Sequence, residues 1–128
     1  MNYEQFLANV RERGEYADNS EADQVSRIVL AQLGERLASG EAKDVAAQLP
    51  VELQAPLLLA AATPPRSSGI HEFLRRVAAD LNASEETARW DASAVLTTLA
   101  EATGGQLNQI LNQLPTEFAV LFGKPDLA

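Results

Sequence analysis

Gln-Leu-Pro-Val-Glu-Leu at residues 48–53 returns 65 residues later as Gln-Leu-Pro-Thr-Glu-Phe at residues 113–118. Proline disfavours the α region for the residue before it, so an incoming helix is expected to end at Leu49 and at Leu114. The proline itself suits the first position of the next helix, where no backbone hydrogen bond is lost. Glu52 and Glu117 then fall in the first turn, where a carboxylate interacts favourably with exposed N–H groups. Each copy therefore predicts a corner between two helices.

Apolar positions on either side of the corners also recur, which predicts an internal repeat. In the first helix of each half, apolar residues are spaced i, i+3, i+4 and i+7, the pattern of one buried helix face. The matching sets, 67 residues apart, are Tyr3, Phe6, Leu7 and Val10, and Ile70, Phe73, Leu74 and Val77. No segment shows sustained period-2 alternation, so no β-sheet is expected. We predict an all-α fold of eight helices in two pseudo-symmetric four-helix repeats that form one compact bundle.

Length and loop composition predict a single all-α domain over residues 1–128. A chain of 128 residues is long enough to bury a sizeable core within one domain. We assign repeat one to residues 2–61, a linker rich in proline and serine to 62–68, repeat two to 69–123, and a short tail to 124–128.

The segment after the first corner is nearly all apolar. Pro56 lies inside it, so a kink or a fresh helix start is expected there. Residues 56–62 are apolar on almost every side, and we expect them to form the most buried helix or part of an interface. The residues predicted to form the core of the whole bundle are Phe6, Val10, Val29, Leu33, Leu49, Phe73, Val77, Val95, Leu99, Leu114 and Phe118.

These paired repeats, each with a phenylalanine in its first helix and a closing Leu-Pro-x-Glu corner, resemble a known family. The chain is similar, from about Tyr3 to Phe122, to the small bacterial family called domain of unknown function 2267. The resemblance implies a compact helical bacterial protein. It implies no established activity and supplies no catalytic residue.

Composition excludes several classes of function. The chain has 18 acidic and 10 basic residues and a net charge of −8, so we expect it to bind neither nucleic acid nor a membrane surface. It has no cysteine and one histidine, His71, so the usual zinc sets and catalytic thiolates are missing. The sequence contains no Glu-x-x-His pair, so no di-iron site is expected. We predict no catalytic residue, no metal and no cofactor. Since no signal peptide or long apolar segment is evident, we expect a cytoplasmic protein.

Two neighbouring residues depart from the repeat and are candidates for function. Trp90 replaces Gln24, and it is expected either to pack between the repeats or to stay exposed as a partner anchor. Asp91 replaces Val25 on an otherwise apolar stripe. A carboxylate there should reach water or pair with an arginine, and the alternative is a functional polar pocket.

An uncharged amide surface on the seventh helix is a further candidate. A weakly hydrated surface of this kind suits docking of a partner, whereas an ordinary solvated face is the alternative. Its candidate partner-binding residues are Gln106, Gln109, Asn112 and Gln113.

These features favour a non-enzymatic helical protein-interaction or adaptor module. Its expected partner is a protein with a basic or mixed surface, and the chain itself is expected to be a monomer or a weak homodimer. The alternative is an enzyme or a protein that binds a small ligand or cation, using a carboxylate site such as Asp91 between the repeats. A deep pocket with convergent polar side chains would favour this alternative, and a packed seam would favour the interaction module.

Overall fold

The computed structural model describes residues 1–61 and 64–123, and over these ranges the chain is helical and contains no β-strand. The all-α prediction is therefore confirmed. Residues 62–63 of the predicted linker and the predicted tail 124–128 lie outside the described residues. The α-helices are α1 (Tyr3–Gly14), α2 (Asn19–Gly34), α3 (Ser39–Ala46), α4 (Gln54–Ala60), α5 (Ile70–Leu81), α6 (Glu85–Thr103) and α7 (Leu107–Asn112). Three 3-10 helices span Val51–Leu53, Gly104–Gln106 and Thr116–Phe122.

The prediction of eight helices is wrong, because the described residues form seven α-helices. The eighth was expected after Pro115, where the chain instead forms the 3-10 helix Thr116–Phe122. The two halves do share one order of elements: α1, α2 and α3 have 12, 16 and 8 residues, and α5, α6 and α7 have 12, 19 and 6. Superposition of the halves as true repeats stays a prediction.

The spacing of buried side chains explains the 3-10 helix. Phe118 and Leu121 are buried three residues apart, and so are Ala119 and Phe122. A 3-10 helix has three residues per turn and therefore places each pair on one side. After the first corner the position of Leu121 is held by Pro56, and an α-helix follows there instead.

Helix starts follow local capping chemistry. Asn2 accepts a hydrogen bond from the Gln5 N–H at 2.8 Å, and the Gln5 side chain accepts one from the Asn2 N–H at 3.0 Å, which completes a capping box for α1. Asp18 caps α2 and Ser84 caps α6 through their side-chain oxygens. These caps fix where α1, α2 and α6 begin.

The core lies around α2 and α6. Helix α6 packs against α1, α2, α5 and the last 3-10 helix, whereas α2 packs against α1, α4 and α5 as well. Every residue predicted for the core is buried. Helices α2 and α4 approach so closely at Gly34 that a Cβ atom on this residue would overlap the Leu57 carbonyl oxygen. Glycine at this position therefore allows α4 to lie directly on α2.

Helix α4 is less buried than predicted. It starts afresh at Gln54, so Pro56 is its third residue and the helix loses no internal hydrogen bond there. Leu57 is its one fully buried leucine, whereas Leu58 and Leu59 are exposed. Of the two alternatives for residues 56–62, the most buried helix is therefore wrong over the described part, 56–61, and part of an interface stays a prediction. The reason is that α4 packs on α2 with one side only.

Candidate functional site

The two predicted site residues, Trp90 and Asp91, lie where the end of α1 meets α6. The indole Nε1 of Trp90 donates to the Gly14 carbonyl oxygen at 3.0 Å, and the Tyr16 hydroxyl donates to Asp91 Oδ1 at 2.6 Å. Gly14 closes α1 because the next residue, Glu15, adopts the left-handed conformation at φ 58°. The turn directs Tyr16 back towards α6. We call this region the α1–α6 seam.

One further residue fastens the α1–α6 seam. Arg13 donates from one guanidinium nitrogen to Thr98 Oγ1 at 2.8 Å, and another of its nitrogens forms an ion pair with Glu101 at 2.6 Å. Thr98 is fully buried, whereas Glu101 is exposed. The arginine side chain therefore runs from the interior to the surface along α6.

Asp91 is only 6% exposed. Of the two contacts expected for this carboxylate, water or an arginine, the structure shows no arginine within the described residues: its hydrogen-bond partner is Tyr16, and its access to water is slight. Burial raises the pKa of the Asp91 carboxyl, the Tyr16 hydrogen bond opposes this rise, and the charge of Glu21 adds to it. Burial and the bond to Asp91 likewise raise the pKa of Tyr16. Together they form a hydrogen-bonded pair enclosed by the protein.

Trp90 combines the two alternatives drawn from the sequence. Its hydrogen bond to Gly14 joins the two halves of the chain, yet the residue remains 51% exposed. A tryptophan with its N–H satisfied and much of its ring in water has a fixed orientation and an accessible apolar face. Trp90 is therefore a half-exposed residue held against the end of α1, and not a residue of the core.

Two shallow hollows flank the Arg13 side chain. One, of about 210 Å³, is lined by Arg13, Trp90, Ser93, Ala94 and Thr97. The other, of about 330 Å³, is lined by Asn9, Glu12 and Arg13. Asp91 lines neither hollow. The alternative of a polar pocket at Asp91 therefore gains no support from these two hollows.

The amide residues of α7 form a separate surface. Gln109, Asn112 and Gln113 are exposed and Gln106 is half-buried. From Trp90 to the end of α6 the helix rises roughly 20 Å, at about 1.5 Å per residue. Helix α7 then packs against α3 and the last 3-10 helix. The structure therefore does not bring Trp90 and the α7 amides into one compact site.

Residues 1–61 and 64–123 contain no group of three or more histidine or acidic side chains placed to hold a metal ion. His71 is exposed on α5. Within the same residues, no helix is long and apolar enough to cross a membrane.

Sequence reasoning missed Arg36, which is 1% exposed. Its guanidinium lies 5.3 Å from the ring centroid of Phe73 and 5.2 Å from that of Phe118, and these two rings meet edge to face at 5.2 Å. It also donates to the backbone oxygen of Ser68 and, at 3.1 Å, to the Ser68 hydroxyl. One signal was present in the sequence: Arg36 falls seven residues after Val29, in register with the apolar stripe of α2 and two residues past the end of that helix.

Four charged residues surround Arg36. Glu35 accepts from Arg66 at 3.1 Å and from Arg76 at 3.5 Å, and Glu72 accepts from Arg66 at 3.3 Å. The Arg66 N–H also donates to the Glu35 carbonyl oxygen at 2.8 Å. Burial lowers the pKa of Arg36, and the charge of Glu72 opposes this change. These contacts tie the described part of the connection between the halves to the end of α2, so their role is structural.

The sequence matches the model of one known family. The family described as an uncharacterized conserved protein (DUF2267) matches residues 3–121. The chain belongs to the DUF2267 family. The resemblance seen in the sequence is thereby confirmed.

The DUF2267 match includes both corners and the whole α1–α6 seam, so the candidate site belongs to the family region of the chain. No curated protein matches the sequence. The description of the family names no activity.

Proposed function

We propose that this DUF2267 protein is a non-enzymatic helical interaction module whose partner is another protein. The surface assigned to the partner is the exposed part of the α1–α6 seam, with Trp90 at its centre and Arg13 beside it. Tryptophan and arginine are the residues most enriched among those that dominate protein–protein binding energies. The observation that carries the proposal is Trp90, which is half-exposed and yet held by its bond to Gly14.

Fixation of Trp90 favours binding because little side-chain freedom remains to be lost. An immobilised, flexible side chain reduces affinity on binding, whereas a side chain that is already ordered does so less. The hollow beside the ring is shallow and lined by small residues, among them Ser93 and Ala94. It can receive one apolar side chain of a partner against the indole.

Charge supports a partner with a basic or mixed surface. The net charge of −8 steers basic surfaces towards the chain, and like-charged surfaces are repelled. Since exposed charges are screened beyond roughly 8 Å at physiological ionic strength, the association should weaken as salt rises. The same charge disfavours DNA. A partner that also reached Gln106, Gln109, Asn112 or Gln113 would have to span roughly 20 Å of α6.

The test is capture of binding proteins by the immobilised chain, followed by direct titration with each purified candidate. Trp90→Ala should weaken the titrated affinity by roughly tenfold or more. Val120→Ala is the matched control, because Val120 is 48% exposed and lies outside the α1–α6 seam. Equal affinities for the Trp90→Ala variant and the wild type would contradict the proposal, and so would tight DNA binding in a gel-shift assay at physiological salt.

The alternative of an enzyme or ligand site at Asp91 has weaker support. A buried carboxyl with a raised pKa is typical of functional sites. Asp91, however, bonds to Tyr16 and lines neither hollow. The variant Asp91→Asn keeps an acceptor for the tyrosine hydroxyl. Under our proposal it should leave the affinity for the partner within about twofold of wild type, because it does not touch the partner surface.

A further inference from the structure

Helix α4 and the turn before it expose an apolar face. Leu59 is 86% exposed, Val51 is 73% exposed and Leu58 is 37% exposed. Ala55 is exposed as well, three and four residues before the two leucines, so these three residues share one side of α4. Val51 lies one turn earlier. We call this set of four residues the α4 face.

The α4 face takes no part in packing α4 against α2. The opposite side of the helix already packs against α2, where Leu57 is fully buried next to Gly34. The largest exposed apolar patch on a typical monomer covers about 300–600 Å² and is often functional, so a patch of this size is a candidate site of association. The α4 face is the apolar surface on this helix that a partner can cover.

The scarcity of charged residues around α4 limits the kind of partner that suits the α4 face. From Val45 to Pro65 the sequence contains a single charged residue, Glu52, although 22% of the whole chain is charged. A basic or acidic surface would lose water at this face without gaining an opposite charge, which is unfavourable. A second copy offers an equally uncharged surface. We propose that the α4 face binds the α4 face of a second copy, which gives a weak symmetric homodimer.

The area of the α4 face agrees with a weak dimer. At these exposures, and with exposed Ala55, the four residues present at most about 400 Å² of largely apolar surface per copy, so complete burial in a pair would cover about 800 Å². Apolar atoms supply roughly 65% of a typical homodimer interface. An apolar area of about 800 Å² therefore corresponds to a whole interface of about 1,200 Å². This is the lower end of the range for specific interfaces, so we expect dissociation in the micromolar range or above.

The geometry of a two-fold pair also suits the face. In a symmetric dimer the same patch meets itself, so each Leu59 can pack beside the small Ala55 of the other copy. Large side chains opposite small ones allow the two helices to approach closely.

Salt dependence distinguishes this interface from the α1–α6 seam. Each copy carries a net charge of −8, so two copies repel one another. Salt screens the repulsion and leaves the apolar contact intact, so dimerisation should strengthen as salt rises. Binding of a basic partner at Trp90 should weaken over the same range.

The experiment is sedimentation equilibrium of the intact chain from about 5 to 500 µM, at low and at high salt. Wild type should show a monomer–dimer equilibrium that shifts towards dimer with salt. Leu59→Asp and Val51→Asp should each raise the dissociation constant by roughly tenfold or more, because each places a carboxylate in an apolar contact. Leu59→Gln tests the same contact without adding a charge and should raise it by a smaller factor.

Val120→Asp is the matched control for Val51→Asp. Both valines are exposed and lie in the 3-10 helices that follow the two corners. The control should dimerise like wild type, and so should Trp90→Ala, so this result does not depend on the proposed function. A wild type that is monomeric throughout the range would overturn the proposal. A dimer unaffected by both Leu59→Asp and Val51→Asp, or one lost equally in Val120→Asp, would overturn it too.

Discussion

The two proline corners begin alike and continue differently. Pro50 has φ −54° and ψ 145°, and Pro115 has φ −54° and ψ 146°. In both corners a 3-10 turn follows at once, with the Leu53 N–H donating to the Pro50 oxygen at 2.9 Å and the Phe118 N–H to the Pro115 oxygen at 3.0 Å. Up to this residue the local sequence is sufficient to explain the backbone.

Beyond the third residue, packing decides the path of the chain. The first corner leads into α4, which buries Leu57 against α2 and leaves Leu59 in water. The second continues as a 3-10 helix whose buried residues include Leu121 and Phe122, on a surface provided by α6. The same motif thus supports an exposed segment in one half and an enclosed one in the other. Tertiary context overrides local preference when buried area differs this much.

The largest expected difference between the corners concerns their first buried residues. Phe118→Ala should lower the free energy of unfolding by about 3–5 kcal/mol and Leu53→Ala by about 2–4 kcal/mol. Both residues are fully buried, but the Phe118 ring also contacts Phe73 and covers the guanidinium of Arg36. Urea unfolding of both variants measures the difference.

Phe118→Leu is the control for this prediction, since it keeps most of the apolar volume and should lose less than Phe118→Ala. A loss below about 1 kcal/mol for Phe118→Ala would show that the second corner is not part of the core. A larger loss for Leu53→Ala than for Phe118→Ala would reverse the order of the two corners.

Local sequence patterns were enough to predict the all-α class, the core and a change of direction at each corner, although α3 ends at Ala46 and α7 at Asn112 rather than at Leu49 and Leu114. The spacing of residues such as Phe73 and Val77 identifies the buried face of a helix, and that face is largely independent of what packs on it. The caps Asp18 and Ser84 are equally local features, because each bonds to a residue three positions further along the chain.

Contacts between distant residues were not predictable in this way. The Tyr16–Asp91 bond joins residues 75 positions apart, and the Arg36–Ser68 contact joins residues 32 apart. Periodicity indicates that a position is buried, but it does not identify the partner that compensates a buried polar group. For this reason Asp91 was assigned to water or an arginine, and Arg36 was overlooked.

An intermediate effect is expected at the two glutamates of the corners. The Glu117 carboxylate accepts a hydrogen bond from the Ile70 N–H at 2.9 Å, at the start of α5, where the cap residue Gly69 has no side chain to accept it. Glu117→Ala should therefore cost about 1 kcal/mol, the usual value of a lost helix cap. Glu52 is exposed, and Glu52→Ala should stay within about 0.5 kcal/mol of wild type.

Thermal and urea unfolding of both variants can resolve this difference. Glu117→Gln serves as the control, because it keeps an acceptor oxygen and should lose less than Glu117→Ala. Equal losses at Glu117 and Glu52 would show that the bond to Ile70 contributes nothing to stability and that the two corners are equivalent at this position.

The smallest effect is expected where the two corners differ most in sequence, at Pro56 and its counterpart Leu121. If proline itself directed the chain into α4, Pro56→Leu would convert the first corner to the 3-10 path of the second. We expect no such change, because the position of α4 is set by Leu57 packing beside Gly34. Proline in a first turn removes no helix hydrogen bond, and its replacement mainly frees the unfolded chain, so the variant should lose only about 0.4–1 kcal/mol. Urea unfolding measures the loss, and NMR contacts between Gln54 and Leu58 report whether the α-helix persists. A loss above about 2 kcal/mol together with the disappearance of those contacts would show that Pro56, and not the packing on α2, makes the two corners diverge.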